Sequence, residues 1–348
     1  IKRECERFHG TTLVDLRAGG PWTDGIAILN YESRRDIDMR GVHGIWLDES
    51  GILKSGTGET CTWLCDLAAN VPYRLCTSAT PAPNDHAEYA SHAVFLGYAR
   101  TAKEFYSQFF KKDGVDWVLR GHAIDPFYRN LSTWSTYIYS PRALGFKQTT
   151  EMGHEPDYDY HRVATHDGFK SKSGALFASA DVAEDRSIVF GEIRSAQGPR
   201  LASIVEYLDG KHGIVWCSRN AEEEAVRRAL PGSVVINGAM PVEQRVEIVD
   251  AYRAGEVRHM VTKPAVMGFG VNLPECNHMV YSGFDYSFEK VYQSIRRGHR
   301  YGRVGTLQVR FPYTDPEAPI LRDLRVKMDR FQADVAAMQA RFWRSDVP

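Results

Sequence analysis

Residues 42–50 read VHGIWLDES, a short apolar run that ends in the carboxylates Asp48 and Glu49. A run of this length, with β-branched and aromatic side chains, predicts a buried strand of a parallel sheet. Ligands of open α/β sheets bind outside the carboxyl ends of the strands, where this pair would lie. One carboxylate can hold Mg²⁺ through water while the other orients or activates an attacking water. For a bare Asp-Glu pair, an acidic loop after a strand is the commoner arrangement.

A second apolar run, residues 73–76, also ends in polar side chains. It continues into TSATPAPND, so Thr77, Ser78 and Thr80 follow the predicted strand and prolines stop it sharply. Hydroxyl groups at a strand end can join the hydrogen-bond network of a neighbouring site. Taken alone, the segment is an ordinary polar turn.

A basic cluster lies further along the chain, where residues 293–302 read QSIRRGHRYG. It follows SFEKVYQSI, an amphipathic stretch that predicts a helix. Arginine binds phosphate oxygens through two parallel hydrogen bonds and keeps its charge, so the cluster suits an anionic partner. An isolated cluster of this kind is more often a solvated helix end than a catalytic site.

In this order, the three pieces resemble the motifs of superfamily-2 helicases and translocases, closest to the Swi/Snf-related branch and to phage-type DEAD/DEAH-box helicases. LDES resembles motif II and TSATPAPN resembles motif III. Residues 267–302, MGFGVNLPECNHMVYSGFDYSFEKVYQSIRRGHRYG, resemble motifs V and VI run together. Arg297 and Arg300 fall at the arginine positions of the pattern QxxxRxHRxG. Arg296 stands where related motors often carry an acidic residue, so the resemblance gives it no role.

The resemblance implies ATP and Mg²⁺ as cofactors. It implies that Asp48 binds Mg²⁺ through water, that Glu49 activates water, and that Arg297 and Arg300 are arginine fingers. It further implies nucleotide contacts by Gly268, Gly270 and Gln293, and coupling to nucleic acid by Thr77, Ser78, Thr80, Asn272 and His299.

Two RecA-like α/β domains with parallel sheets are the implied fold. Residues 1–150 would be the C-terminal part of the first, ATP-binding domain, incomplete at its N-terminus and carrying a helical insertion. Residues 151–348 would be the second, helicase C-terminal domain. The aromatic-rich segment 86–146 is interpreted as a mostly helical lobe whose aromatic side chains pack rather than stack on bases. Residues 321–343 repeat apolar side chains every three or four positions, which predicts a long helix.

The phosphate-binding P-loop of the family, GxxxxGK[ST], does not occur in the sequence. Residues 56–60, GTGET, place Glu59 where the lysine would be, and are predicted to be a loop entering a helix capped by Thr57 or Thr60. Because the chain starts at Ile1 rather than Met, we expect the P-loop segment to lie upstream. A natural absence of the P-loop is the alternative.

The expected function is a nucleic-acid-dependent ATPase motor, either a DNA helicase or a translocase on double-stranded DNA, with RNA left open. A catalytically inactive nucleic-acid-binding or regulatory module is the first alternative. A split motor is the second, in which a partner chain supplies the P-loop segment. A third is the motor part of a restriction or modification system.

Composition bears on how the protein could bind nucleic acid, on its redox environment and on membrane spans. With 43 Lys+Arg against 44 Asp+Glu, nucleic-acid binding would depend on a local groove rather than on bulk charge. The six cysteines form no CxxC pair, which indicates free thiols in a reducing cytoplasm, that of the host if the protein is phage-encoded. No apolar run approaches the roughly 20 residues that span a bilayer.

Overall fold

The computed structural model describes residues 13–16, 25–32, 37–138, 154–163, 197–267, 271–283, 287–300 and 302–342. The chain divides into two compact units, Ile1–Ile124 and Asp125–Pro348. The predicted domain boundary at residue 150 falls outside the described residues and stays a prediction.

Three pairs of strands make up the described sheets of the first unit. Two pairs are parallel, β1 (Leu13–Asp15) with β2 (Ile26–Ile28) and β3 (Gly44–Asp48) with β4 (Tyr73–Thr77). The third pair is the antiparallel hairpin of β5 (Phe110–Asp113) and β6 (Asp116–Leu119). The segment from residue 86 is mostly helical over its described part, as predicted, but the hairpin was not foreseen; its turn holds Gly114 at φ 59°.

The α-helices described with these strands are α1 (Glu59–Ala68), α2 (Tyr89–Leu96) and α3 (Ala102–Phe109), with a short 3-10 helix at Ser50–Lys54. The loop into α1 lies where it was predicted, but the predicted cap by Thr57 or Thr60 is wrong. Gly58 is the N-cap, and no side chain caps the helix. The Gly58 amide instead donates to the Ser55 carbonyl at 2.7 Å, which closes a tight turn.

Among the described residues, the β3–β4 sheet is covered on one face. Leu47 packs with Leu53, Leu64 and Phe95 in a buried apolar cluster on the covered face. The opposite face exposes Trp46 (64%), Tyr73 (74%) and Leu75 (53%). The prediction of a buried strand is therefore half wrong, because within the described residues no element covers this second face.

The second unit is built on six parallel strands in the order β7-β12-β11-β8-β10-β9. Their bounds are β7 Asp157–Arg162, β8 Gly213–Trp216, β9 Val234–Ile236, β10 His259–Thr262, β11 His278–Tyr281 and β12 Gln308–Tyr313. The central strands β8 and β10 are buried along their whole length, as parallel strands covered on both faces must be. The prediction of an α/β fold with parallel sheets is confirmed.

The helices described with this sheet are α4 (Ile124–Ser132), α5 (Gln197–Leu208), α6 (Asn220–Ala229), α7 (Val242–Arg253), α8 (Phe288–Gly298) and α9 (Ala318–Phe342). The predicted C-terminal helix is confirmed as α9. Its Phe331 packs against Phe288 and Tyr292 of α8, with ring centroids 5.8 and 4.9 Å apart. Tyr128 of α4 donates to Asp334 of α9 at 2.5 Å, so α4 is held on the second unit.

In the described part of the chain, no helix is both long and apolar enough to cross a membrane.

A buried ion pair joins three elements of the second unit. Arg200 of α5 pairs with Glu317, and both side chains are almost fully buried. Arg200 also donates to the Ser282 carbonyl after β11 at 3.1 Å. Glu317 accepts from the backbone and hydroxyl of Thr314 at 2.9 and 2.8 Å. The pair therefore fixes the start of α9 against the carboxyl edge of the sheet.

Candidate functional site

The acidic pair lies at the carboxyl end of β3, as the sequence predicts. Asp48 Oδ1 accepts a hydrogen bond from Thr77 Oγ1 at 3.0 Å and from the Glu49 amide at 3.2 Å. The Tyr31 hydroxyl donates to the Asp48 carbonyl oxygen at 2.6 Å. Asp48 and Thr77 meet because they are register partners at the ends of neighbouring parallel strands. Two separately predicted segments thus converge on one carboxylate.

Glu49 occupies the left-handed region of backbone space, with φ 52° and ψ 51°. Among the described residues it is the one non-glycine with positive φ. For a non-glycine residue this conformation costs on the order of 1–3 kcal/mol, so surrounding contacts must hold it. It turns the chain from β3 into the 3-10 helix and leaves the Glu49 side chain exposed beside Asp48.

A buried contact between Ser50 and His92 holds the turn at Glu49 in place. Ser50 Oγ lies 3.1 Å from His92 Nε2, and both side chains are buried. Burial lowers the pKa of His92 to about 4, outweighing backbone hydrogen bonds that favour the charged form. The imidazole is therefore neutral at physiological pH. No local sequence pattern indicates this contact, because His92 lies 42 residues from Ser50 on a helix without a recognisable motif.

Thr77 links one further side chain, Trp46, to the site. Trp46 Nε1 donates to Thr77 Oγ1 at 2.8 Å, and the same hydroxyl donates to Asp48. Ser78 lies in the next turn, where its Oγ accepts from the Thr80 amide at 3.1 Å. Thr80 is fully buried. Of the three predicted coupling residues in this segment, Thr77 is the one with a hydrogen bond to the acidic pair among the described contacts.

The predicted basic helix end is observed in the second unit as the last turn of α8. Arg297 is buried, and its carbonyl accepts from the Leu273 amide at 2.8 Å. That bond fixes α8 to the segment that carries Asn272. Arg300 is exposed just past the helix, and Gln293 is half-buried one turn before Arg297. Gln293 and Arg297 thus lie on the last turns of α8 with Arg300 just after it, and the Leu273 bond brings the segment of Asn272 to that helix end.

His299 is buried beside Arg296, whose Nη1 lies 2.5 Å from His299 Nδ1. Burial lowers the pKa of His299, and the Arg296 charge lowers it further. The Arg296 guanidinium also lies 5.5 Å from the Tyr292 ring centroid. Arg296, which the sequence left without a role, therefore fixes the position and the neutral form of His299.

Arg303 is a buried arginine that sequence reasoning missed. Its Nη1 donates to the carbonyls of Cys276 at 2.5 Å and Gly298 at 3.3 Å, and its Nη2 donates to Asn277 Oδ1 at 3.2 Å. Burial lowers its pKa. Arg303 therefore ties the end of α8 to the loop before β11. In the sequence, Arg303 ends the basic run HRYGR and looks like another exposed charge. No sequence pattern distinguishes it from Arg300.

Two predicted residues, Gly268 and Gly270, lie outside the described residues, and their roles stay predictions. The described residues contain no group of three or more His, Cys, Asp or Glu side chains that could hold a metal ion. Asp48 nevertheless fits Mg²⁺, which prefers one or two carboxylate oxygens and keeps several water ligands. Its carboxylate is exposed at the carboxyl edge and fixed by two hydrogen bonds through one oxygen.

Residues 199–302 match the family model of the helicase conserved C-terminal domain. The match lies within the second unit and supports the predicted similarity to helicase-type proteins. The matched range runs from α5 to just past α8 and includes Gln293, Arg297, His299 and Arg300.

Among solved structures, one titled "Crystal structure of the C-terminal part of Fun30 ATPase domain" is similar to this chain at 13% identity, with a TM-score of 0.34. The similarity covers 40% of this chain and 54% of that one, so the chain spans about half of that structure's length. No curated protein matches the sequence.

Proposed function

We propose that the protein is a nucleic-acid-dependent ATPase motor of the helicase type, acting as a DNA helicase or as a translocase on double-stranded DNA. The helicase C-terminal match over residues 199–302 carries this proposal. The hydrogen bond between Asp48 and Thr77 supports it, because this contact joins the two segments that resemble motifs II and III.

In this proposal, Asp48 holds Mg²⁺ through water, and Glu49 positions the attacking water. When bound, the ion neutralises charge on the phosphates of ATP. Arg297 and Arg300 stabilise charge on the transferring phosphoryl group, which is the role of an arginine finger. The fixed backbone turn at Glu49 favours the assignment, since strained turns held by buried contacts cluster at functional sites.

Nucleic acid is the proposed partner of the second unit. Thr77, Ser78 and Thr80 would report the nucleotide state, and Asn272 and His299 would connect it to the bound strand. The balanced net charge implies that binding depends on a groove rather than on the whole surface. Duplex DNA is the substrate favoured by the sequence resemblance.

A polypeptide segment that completes the first unit is the second proposed partner. Trp46, Tyr73 and Leu75 form an exposed apolar face on the β3–β4 sheet. Parallel sheets are covered on both faces, so this face suits a strand and helix packed onto it. The same face ends at Asp48 and Thr77, and a helix starting there would direct its N-terminus at the phosphates. A P-loop segment, from the same gene product or from a partner chain, has this form.

The test is ATP hydrolysis by the chain joined to a P-loop-bearing upstream segment, with and without double-stranded DNA. We expect DNA-stimulated turnover that Glu49→Gln abolishes while leaving ATP binding intact. Glu32→Gln, which changes an exposed glutamate of the same unit outside the assigned roles, serves as the matched control. If the completed protein binds DNA but Glu49→Gln hydrolyses ATP as fast as the parent, the assignment of Glu49 is wrong. DNA binding with no hydrolysis in the parent would favour the inactive binding module.

A further inference from the structure

Two cysteines share one face of α1. Cys61 and Cys65 are four residues apart, which places them one above the other, about 6 Å apart along the helix axis. The Cys65 side chain and the Ser91 hydroxyl are polar neighbours of the Cys61 sulfur. Cys61 is only 4% exposed within the apolar cluster of the first unit, and Cys65 is half-buried at its border. The pair is thus preformed, with one thiol open to solvent.

The environment of this pair differs from that of the other described cysteines. The neighbouring Cys65 lowers the pKa of Cys61 to about 7, against the effect of burial, while the Cys61 contact and burial raise the pKa of Cys65 above its ordinary value. Burial raises the pKa of Cys76 to about 12 and that of Cys276 to about 11, and it raises the pKa of Cys217 as well. Since the thiolate is the nucleophile and the metal ligand, Cys61 is the most readily ionised of these five thiols, and Cys65 lies on the same helix face as the second sulfur ligand.

We propose that Cys61 and Cys65 form a two-thiolate binding site for a soft, thiophilic metalloid of the trivalent arsenic class. Thiolates select soft ions, and two sulfurs on one helix face can bridge a single centre. With an arsenoxide, two As–S bonds form while the As=O bond and two S–H bonds break, and one water leaves. No oxidant or reductant is consumed. The product is neutral, so an apolar border costs it no buried charge.

The site is independent of the proposed motor activity, because none of its atoms belongs to the acidic pair or to the basic helix end. A hard ion such as Mg²⁺ would not select it, since that ion takes oxygen ligands. Zinc would need four ligands, and the described residues contain no group of three or more candidate metal-binding side chains.

The probe is phenylarsine oxide, added to the full chain carrying Cys5→Ser, because Cys5 lies outside the described residues. We expect one phenylarsenic group per chain by intact mass, retained against a monothiol and released by 1,2-ethanedithiol. The second As–S bond is intramolecular, so the parent should bind on the order of 100-fold more tightly than a variant with one thiol of the pair.

Three variants decide the proposal. Cys65→Ser and Cys61→Ala should each lose the monothiol-resistant adduct, whereas Cys76→Ser, which removes a neighbouring thiol of the same cluster, should keep it. Cys65 is half-buried, so Cys65→Ser is decisive even if Cys61→Ala disturbs folding, which circular dichroism would show. A monothiol-resistant adduct that persists in Cys65→Ser overturns the proposal. So does an adduct in the parent that a monothiol removes.

Discussion

The neutral His92 behind the acidic pair predicts a pH-dependent loss of stability in the first unit. Its pKa is about 4 in the folded chain, against about 6.5 for an unperturbed histidine. Above pH 6.5 the imidazole is neutral in both states and contributes nothing to the pH dependence. Between pH 6.5 and 4 the unfolded chain binds a proton that the folded chain excludes, so stability falls as the pH falls.

The magnitude follows from the two pKa values. At pH 5 the unfolded histidine is almost fully protonated and the folded one is mostly neutral, which costs about 2 kcal/mol relative to pH 8. Below pH 4 the cost approaches about 3 kcal/mol, since each pKa unit corresponds to about 1.4 kcal/mol. A loss of this size is a large part of the stability of a typical domain.

His92→Gln removes the titrating group while keeping a polar side chain near Ser50. We expect the free energy of unfolding of the parent to fall by about 2 kcal/mol more than that of the variant between pH 8 and pH 5. Urea unfolding followed by tryptophan fluorescence measures the difference, and His43→Gln, an exposed histidine in the same unit, controls for loss of one imidazole. A nuclear magnetic resonance titration gives the pKa directly. A pKa near 6.5, or equal pH dependence in parent and variant, would refute the reasoning.

Three further predictions concern single side chains. Thr77→Val should lower the free energy of unfolding by about 1 kcal/mol, as measured by denaturant unfolding. It should also shift the fluorescence emission of Trp46, whose indole loses its hydrogen-bond acceptor, and an unchanged spectrum would contradict that contact. Glu317→Ala leaves Arg200 as a buried unpaired charge and should cost about 3–5 kcal/mol in thermal unfolding, with a loss below 1 kcal/mol excluding a buried ion pair. In the motor completed with a P-loop segment, Arg300→Ala should reduce turnover on the order of 1000-fold with ATP binding retained, and stopped-flow phosphate release would show whether it does.

The parallel architecture could be predicted because apolar runs end in polar residues at intervals that suit alternating strands and helices. The meeting of Asp48 and Thr77 followed from the same logic, since the carboxyl ends of neighbouring parallel strands share an edge. The hairpin at residues 110–119 was missed although a signal was present. Its Asp113-Gly114 pair is a turn sequence that often joins two short strands.

Other features depend on tertiary contacts that no local pattern encodes. The left-handed turn at Glu49 is held by Ser50 and His92, which are distant in the sequence, and a glutamate gives no sign of positive φ. The burial of Arg303 depends on two carbonyl groups that accept from it, that of Cys276 in the loop before β11 and that of Gly298 at the end of α8. The open face around Trp46 was unforeseen because an apolar strand looks the same whether or not a helix covers it.

The two candidate sites share one design, in which an exposed charge projects from a backbone fixed by a buried polar side chain. His92 holds the turn below Glu49, and Arg303 holds the helix end that presents Arg300. An exposed charged side chain keeps many rotamers, so the position of its charged group depends on how firmly the backbone beneath it is held. That backbone needs hydrogen-bond partners within the protein. Substitution of an exposed charge should therefore reduce activity and leave stability intact. Substitution of a buried anchor should lower both together, which gives the two classes of residue different experimental signatures.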